Sequence, residues 1–398
     1  MARLVALTTL LVALLAPGAQ AADLAATQRV LAREMARSGA YSGAYVVDVN
    51  RNQELFAYRP DTARVPASVE KLYTSASALL NYGPEARLTT SVLAETLPDE
   101  TGTIAGDIVL RGGGDPTFGP VQAAALADQL VDAGLTRIEG RVIGDESAFD
   151  AFRGPLTARL EYWVGPLSAL SFNHGRTGKR RPYFQTSPAR FAAQAFEKAL
   201  KQRGVRIARK ARAGAAAEGM TPYSEWRSPT MASIVRRMNQ PSDNYIAEML
   251  VKALGADHGS AGSTAAGAGV MRETLQRFSI APRIVDGSGL SRSNHTTPRQ
   301  VVQLRTGMDA SEVADAFERS LAVAGRNGTL SKRMRRTPAQ GRCRAKTGTL
   351  SNVSALAGFC DTTGGERVAF AFLMNGVWPG SARALQDRMT VALARYDA

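Results

Sequence analysis

Histidine and cysteine are scarce in this chain. Its 398 residues include three histidines, His174, His258 and His295, which lie far apart, and two cysteines. Zinc sites draw on clusters of His and Cys ligands, and cysteine proteases need a Cys–His pair. The composition therefore argues against both classes and implies no metal site. Any hydrolytic chemistry has to draw on other side chains.

Lysine is also rare, because the chain has 8 Lys against 41 Arg. The 49 basic residues outnumber 35 acidic ones, which gives a net charge of +14 and favours anionic surroundings. Basic residues concentrate in two runs, 179–181 and 203–212. We interpret these runs as solvated faces. The alternative is peripheral contact with anionic wall polymers or lipid head groups.

Long apolar runs are missing except at the N terminus. There Arg3 precedes the apolar run Leu4–Ala16, and the small residues Ala19-Gln20-Ala21 follow. This order is typical of a secretory signal peptide that is cleaved after about Ala21. The alternative is a short membrane anchor, but the run falls below the roughly 20 residues that span a bilayer. We therefore expect a mature protein outside the cytoplasm.

The two cysteines, Cys343 and Cys360, flank a hairpin-like pattern. Two β-rich runs meet at the turn-like pair Ser351-Asn352, which is midway between the cysteines. In a symmetric hairpin the cysteines face each other, and an exported protein meets an oxidising compartment. We predict a disulfide; the alternative is two buried thiols.

The patterning along the chain predicts a split main domain of the α/β (α+β) class. Residues 87–217 alternate short strands, helices and glycine-rich turns, and they differ in texture from both flanks. We predict a signal peptide at 1–21, a discontinuous main domain at 22–86 and 218–398, and an inserted domain at 87–217. Predicted elements outside the insert are helices at 23–38, 68–80, 228–254, 264–278, 298–306 and 381–396, a hairpin turning at 50–52, and a β-rich stretch at 342–375.

A serine and a lysine stand three positions apart in Ser68-Val-Glu-Lys71. Residues i and i+3 share one helix face, so Lys71 can lie beside the hydroxyl of Ser68 and act as its base once its proton is lost. Pro66 suits a helix start, where unpaired backbone N–H groups can stabilise an oxyanion. Alone, this spacing arises readily by chance on a solvated helix.

Two further short motifs carry polar side chains. Ser242-Asp243-Asn244 begins a predicted helix, although a simple helix cap explains it equally well. Lys346-Thr347-Gly348-Thr349 lies on a predicted strand. There the lysine offers a positive charge for a carboxylate and the threonines offer hydroxyl donors. Gly348 leaves room for a substrate backbone to pair with the strand.

Taken together and in this order, the three motifs resemble the active-site signature of penicillin-binding proteins and serine β-lactamases. Four other segments resemble the D-alanyl-D-alanine carboxypeptidase/endopeptidase family, the type-4 or class C penicillin-binding proteins. These segments are Leu110–Thr117, Gly140–Asp145, Asp286–Arg292 with Thr297-Pro298, and Ala324–Leu330. The 174 positions between Ser68 and Ser242 match the inserted domain of that family.

The resemblance implies a β-lactamase/transpeptidase-like domain, with an antiparallel sheet flanked by helices and a smaller α/β insert. It implies that Ser68 attacks the peptide carbonyl of a D-Ala-D-Ala terminus and that Lys71 accepts its proton. The backbone N–H groups of Ser68 and Thr349 would form the oxyanion hole, and water would hydrolyse the acyl-enzyme.

The resemblance also assigns the remaining motif residues. Ser242 would relay a proton to the leaving amine, Asn244 would hold the substrate amide, and Lys346 with Thr347 and Thr349 would bind the terminal carboxylate. The implied partners are peptidoglycan stem peptides ending in D-Ala-D-Ala and β-lactam inhibitors, with no cofactor and no nucleic acid. The implied location is the periplasm.

Two alternatives stay open at this point. A serine β-lactamase would use the same motifs, but the long insert and the lack of an identifiable extra carboxylate base argue against it. A non-catalytic wall-binding protein could keep the fold as a scaffold. The intact motif residues argue against that alternative.

Overall fold

The structure is a computed structural model that describes residues 23–154, 164–178 and 183–398. The predicted signal peptide at 1–21 and the basic run at 179–181 lie outside the described residues. Among the residues that are described, no helix has the length and apolar character needed to cross a membrane.

Helices account for much of the described chain. In chain order they are α1 (Leu24–Ala36), α2 (Lys71–Tyr82), α3 (Pro120–Asp132), α4 (Pro188–Lys201), α5 (Met231–Asn239), α6 (Asn244–His258), α7 (Thr264–Gln276), α8 (Pro298–Asp309), α9 (Ala314–Ser320) and α10 (Pro379–Ala394). Short 3-10 helices cover Ala67–Glu70, Asn173–Gly175 and Gly328–Leu330.

The strands of the described chain fall into three sheets. They are β1 (Ser42–Asp48), β2 (Gln53–Tyr58), β3 (Thr89–Ala94), β4 (Thr103–Ile104), β5 (Ile108–Gly112), β6 (Arg137–Ile138), β7 (Val142–Asp145), β8 (Arg206–Ile207), β9 (Arg212–Ala213), β10 (Thr221–Arg227), β11 (Ala322–Val323), β12 (Cys343–Leu350), β13 (Val353–Asp361) and β14 (Arg367–Asn375).

The largest sheet has six strands in the order β11-β12-β13-β14-β1-β2, and all its pairs are antiparallel. Both ends of the chain therefore build one sheet. One apolar core lies between this sheet and α2, α5, α6, α7 and α8, and a second lies beneath α1 and α10 on the other face. Because helices cover both faces, β13 and β14 are almost wholly buried and read as continuous apolar runs. The predicted antiparallel sheet flanked by helices is confirmed.

The intervening segment forms two smaller sheets around its own apolar core. One has the order β10-β3-β5-β7-β9, and the other is the parallel set β4-β6-β8. Strand β10 pairs with β3, so this pairing crosses the predicted boundary between residues 217 and 218. The division into domains stays a prediction, and the pairing favours an insert that ends near residue 227.

The helix predicted over 228–254 is instead two helices, α5 and α6. Pro241 lacks an N–H and disfavours helical geometry in the residue before it. Ser242 has a φ of 65°, in the left-handed region, and the Asp243 side chain then caps α6 by accepting the N–H of Ile246 at 2.9 Å. The break places Ser242 in a turn instead of on a helix face.

The predicted disulfide between Cys343 and Cys360 is confirmed. The two residues are register partners on β12 and β13, and both are buried. The strands meet at the two-residue turn Ser351-Asn352, as the spacing predicts, with Asn352 in the left-handed region at a φ of 61°. This hairpin carries the Lys346–Thr349 motif on β12, between the disulfide and the turn.

Candidate active site

All three sequence motifs meet at one open cavity of about 510 Å³. The sequence separates them by more than one hundred positions, and the sheet edge at β12 brings them together. The cavity is lined by Ser68, Pro241, Ser242, Asn244, Leu290, Thr329, Lys332, Arg333, Thr347, Thr349 and Arg383.

Ser68 lies on the short 3-10 helix that precedes α2. Pro66 contributes no N–H, and Ala67 holds a φ of 48°, an uncommon conformation for a residue other than glycine. Near the start of a helix, backbone N–H groups lack acceptors within the helix, so the N–H of Ser68 is available to a ligand. The strained turn thus directs the hydroxyl and the backbone N–H of Ser68 toward the cavity.

Lys71 is fully buried beside Ser68. Its Nζ lies 3.0 Å from Ser68 Oγ, 2.6 Å from Asn244 Oδ1 and 2.7 Å from the carbonyl oxygen of Ser288. Burial lowers the pKa of Lys71 to about 8, although the negative charges of Asp286 and Glu248 oppose that shift. Part of the Lys71 population is therefore uncharged near neutral pH, and an uncharged amine can accept a proton.

Three carboxyl groups stand behind Lys71. Glu248 Oε1 accepts the N–H of Ser288 at 2.9 Å, and Asp286 accepts the N–H groups of Gly289 and Ser291 at 2.8 and 2.7 Å. Glu70 is fully buried, and neither carboxyl oxygen has a hydrogen-bond partner among the described residues. Burial raises the pKa of Glu248 to about 7 and that of Glu70 well above 4.5.

A second serine–lysine pair lies at the same cavity, since Ser242 lines it together with Ser68. Lys346 Nζ lies 2.7 Å from Ser242 Oγ and 2.9 Å from the carbonyl oxygen of Thr347. The Lys346 side chain is fully buried, and burial together with the charge of Lys71 lowers its pKa well below 10.5. The amine is therefore directed at Ser242, whose side chain lies between it and the cavity wall formed by the lining residues.

The strand β12 forms one wall with Thr347 and Thr349, while Gly348 lies against the segment that carries Ser68. A Cβ on Gly348 would lie 2.6 Å from the carbonyl oxygen of Pro66 and 3.1 Å from the N atom of Ser68. Only a glycine permits this approach. It sets the backbone of β12 beside the N–H of Ser68, where two N–H groups can converge on one oxygen.

Sequence reasoning placed the motif residues together but missed four contributors. Ser288 reaches Lys71 through its carbonyl oxygen, from the Asp286–Arg292 segment. Glu248 holds Ser288, Thr329 accepts from the Thr347 hydroxyl at 2.9 Å, and Arg383 donates to Thr349 Oγ1 at 3.2 Å. Two of them lie in segments that resemble the family, because Asp286–Arg292 contains Ser288 and Ala324–Leu330 contains Thr329.

The described residues contain no cluster of three or more His, Cys, Asp or Glu side chains that could hold a metal ion. The hydrogen-bonded pairs above consist of serine, lysine and asparagine side chains. The chemistry available to this set is acyl transfer through a serine, with lysines moving the protons.

Comparisons with known proteins agree with this geometry. The chain is 28% identical to a D-alanyl-D-alanine carboxypeptidase of Actinomadura sp. (strain R39), over 88% of this chain and 80% of the relative. Penicillin binding protein 4 from Haemophilus influenzae shares the fold, with a TM-score of 0.78 and 20% identity over 92% of this chain and 99% of that one. The same protein in complex with a β-lactam gives a TM-score of 0.76, at 21% identity and the same coverage.

The match to a protein family covers most of the chain. The family described as D-Ala-D-Ala carboxypeptidase 3 (S13) matches residues 24–164 and 179–396. The resemblance drawn from the motifs is therefore confirmed, and the chain belongs to the D-Ala-D-Ala carboxypeptidase 3 (S13) family.

Proposed function

We propose that this chain is a periplasmic serine-type D-Ala-D-Ala carboxypeptidase that hydrolyses peptidoglycan stem peptides through an acyl-enzyme on Ser68. The observation that carries the proposal is that two hydrogen-bonded pairs, Ser68–Lys71 and Ser242–Lys346, meet at one cavity, which both serines line. Membership of the S13 family and the name of the Actinomadura relative support the substrate class.

The acylation step follows from the contacts of Ser68. Its Oγ attacks the carbonyl carbon of the penultimate D-Ala while its proton passes to Lys71 Nζ, 3.0 Å away. The electron pair of the carbonyl moves to oxygen, and the N–H groups of Ser68 and Thr349 stabilise the resulting oxyanion. Asn244 holds Lys71 through its Oδ1, which leaves its amide N–H₂ to bind the substrate.

The tetrahedral intermediate then collapses. The C–N bond breaks, and the proton that Lys71 took from Ser68 passes through the Ser242 hydroxyl to the leaving amine of the terminal D-Ala, which returns Lys71 to its neutral form. Lys346 holds Ser242 Oγ in place during this relay. Water attacks the ester carbonyl of the acyl-enzyme and gives one proton to Lys71. The bond between the carbonyl carbon and Ser68 Oγ then breaks, and Lys71 returns the proton to Oγ, which restores Ser68 and releases the shortened peptide. No cofactor enters these steps.

β-Lactams are the expected inhibitors, since they carry an amide carbonyl and a carboxylate that fit the same cavity. The related penicillin binding protein 4 with a bound β-lactam supports this expectation. Cleavage of D,D cross-links as an endopeptidase uses the same bond and the same residues. The predicted signal peptide at 1–21 supports a location in the periplasm.

The test incubates the purified mature protein, and a Ser68→Ala variant, with a monomeric pentapeptide and with cross-linked muropeptides. We expect D-Ala release from the pentapeptide by the wild type only, and mass spectrometry shows whether cross-links are also cut. Equal activity in the variant would remove Ser68 as nucleophile. A wild type that binds the peptide and releases nothing would favour a non-catalytic wall-binding protein.

Penicillin separates the proposal from a β-lactamase. We expect a lasting covalent adduct on Ser68, seen as one added penicillin mass in the intact protein. Among the described residues, none of the side chains that line the cavity is acidic, so none of them supplies a carboxylate that could activate water for rapid deacylation. Rapid turnover of the drug would contradict the proposal.

A further inference from the structure

The cavity has a cationic side that the motif residues do not explain. We propose that Arg383 recognises the free C-terminal carboxylate of the substrate, and the carboxylate of β-lactams, together with the Thr349 hydroxyl. This inference rests on the proposed function and adds to it a residue from α10 that none of the three motifs contains.

The lysine expected to meet the carboxylate is not placed to do so. Lys346 is fully buried, its Nζ is occupied by Ser242 Oγ and the Thr347 carbonyl oxygen, and it is not among the residues that line the cavity. Burial and the neighbouring Lys71 both disfavour its charged form. A carboxylate in the cavity therefore needs another cation, because burying its charge unpaired is costly.

Arg383 meets the requirements of that cation. It is exposed on the cavity wall, and within the described part of the chain it forms no salt bridge with a carboxylate. Its Nη2 donates to Thr349 Oγ1 at 3.2 Å, so the threonine oxygen acts as acceptor and its own O–H points away. A guanidinium and a hydroxyl side by side offer a carboxylate a bidentate contact and a third donor.

The other cations on the wall are less suitable. Arg333 is already paired with Asp387, at 2.8 Å, and it also donates to the backbone carbonyl of Arg383. Lys332 is exposed and is the remaining competitor. The Thr347 hydroxyl donates to Thr329 at 2.9 Å, so Thr349 is the better-oriented hydroxyl for a ligand. The contact between Arg383 and Thr349 thus marks the carboxylate position.

The test compares a pentapeptide ending in a free D-Ala carboxylate with the same peptide ending in an amide. We expect the wild type to favour the acid, and Arg383→Gln to lower kcat/KM for the acid on the order of 10- to 100-fold, the range for a charge-assisted hydrogen bond. Its kcat/KM for the amide should stay within about threefold, since no carboxylate is lost. Arg395→Gln, at the end of the same helix and exposed, is the matched control and should behave as wild type.

Lys332→Gln distinguishes the two cations and should keep the preference for the acid. The inference fails if Arg383→Gln keeps that preference, if acid and amide decline together, or if Lys332→Gln alone abolishes it. The same comparison can be made without a peptide by measuring the acylation rates with benzylpenicillin, which has a free carboxylate, and with its methyl ester, which has none. A wild type that releases no D-Ala would overturn the proposed function, whereas the penicillin pair would still test the role of Arg383.

Discussion

The pKa of Lys71 determines how the acylation rate of this protein depends on pH. Lys71 can accept the Ser68 proton only as a neutral amine, and burial brings its pKa from 10.5 to about 8. The neutral fraction is then about one-tenth at pH 7, one-half at pH 8 and nine-tenths at pH 9. We therefore expect the rate to rise roughly tenfold from pH 7 to pH 9 and then to level off.

The charges that surround Lys71 give a second, sharper perturbation. Glu248 faces it from α6 and has a pKa of about 7, so Glu248 is mostly ionised where Lys71 titrates and raises the pKa of the lysine. Glu248→Gln removes this charge but keeps an oxygen that can accept the Ser288 N–H, now at 2.9 Å. The midpoint of the profile should consequently move to lower pH, and the rate at pH 7 should rise.

The assay is stopped-flow acylation by a fluorescent penicillin between pH 6 and pH 10, for the wild type, Glu248→Gln and the exposed control Glu218→Gln. A rate that still rises about tenfold per pH unit up to pH 10, with no midpoint in the range, would show that burial does not lower the pKa of Lys71. A rate that declines with rising pH would exclude the neutral amine as the base. An unchanged midpoint in Glu248→Gln, with the fold intact by circular dichroism, would refute the electrostatic reasoning.

Three other perturbations test the surroundings of the site. Burial raises the pKa of Glu70. Above about pH 4.5 the unfolded state therefore releases a proton that the folded state keeps. The free energy of unfolding declines as the pH rises from there toward the folded-state pKa of Glu70. Glu70→Gln should therefore raise Tm more at pH 8 than at pH 4, and an equal gain at both values would contradict this. Gly348→Ala would place a Cβ against the Pro66 carbonyl oxygen and displace one N–H donor of the oxyanion hole. Penicillin acylation should therefore slow on the order of 100-fold. An unchanged acylation rate would show that β12 can shift without displacing the donor. Replacing Cys343 and Cys360 by alanine removes a disulfide that closes a loop of 17 positions. The free energy of unfolding, measured by urea titration, should fall by about 3 kcal/mol, because the unfolded chain gains entropy when the loop is opened. A loss below about 1 kcal/mol would argue against this entropic explanation.

Local patterns predicted the parts of the site that depend on short spacing. Ser68 and Lys71 share a helical turn, so their proximity follows from the i, i+3 spacing alone. The cysteine pair likewise follows from hairpin symmetry about Ser351-Asn352. The break between α5 and α6 had a signal in Pro241, which the periodicity of the flanking apolar residues outweighed.

The contacts that were not predicted join distant segments. Lys71 and Ser288 are 217 positions apart, and Arg383 meets Thr349 through the packing of α10 on the sheet. No local pattern encodes either contact, because each depends on where whole elements pack. The burial of Lys346 was not predictable from local sequence either. Successive side chains on a strand point to opposite faces of the sheet, but this pattern does not show which face a neighbouring element covers.

The two lysines of the cavity are distinguished by the groups behind them. Burial lowers the pKa of both lysines, but the charges of Asp286 and Glu248 oppose that shift at Lys71, whereas the charge of Lys71 adds to it at Lys346. When Ser68 loses its proton, the resulting ammonium is therefore stabilised on Lys71 and disfavoured on Lys346. This asymmetry favours proton transfer from Ser68 to Lys71, while Lys346 stays hydrogen-bonded to Ser242 Oγ at 2.7 Å. In the proposed arrangement the charge facing a substrate carboxylate comes from outside the three motifs, from Arg383 on the cavity wall beside Thr349.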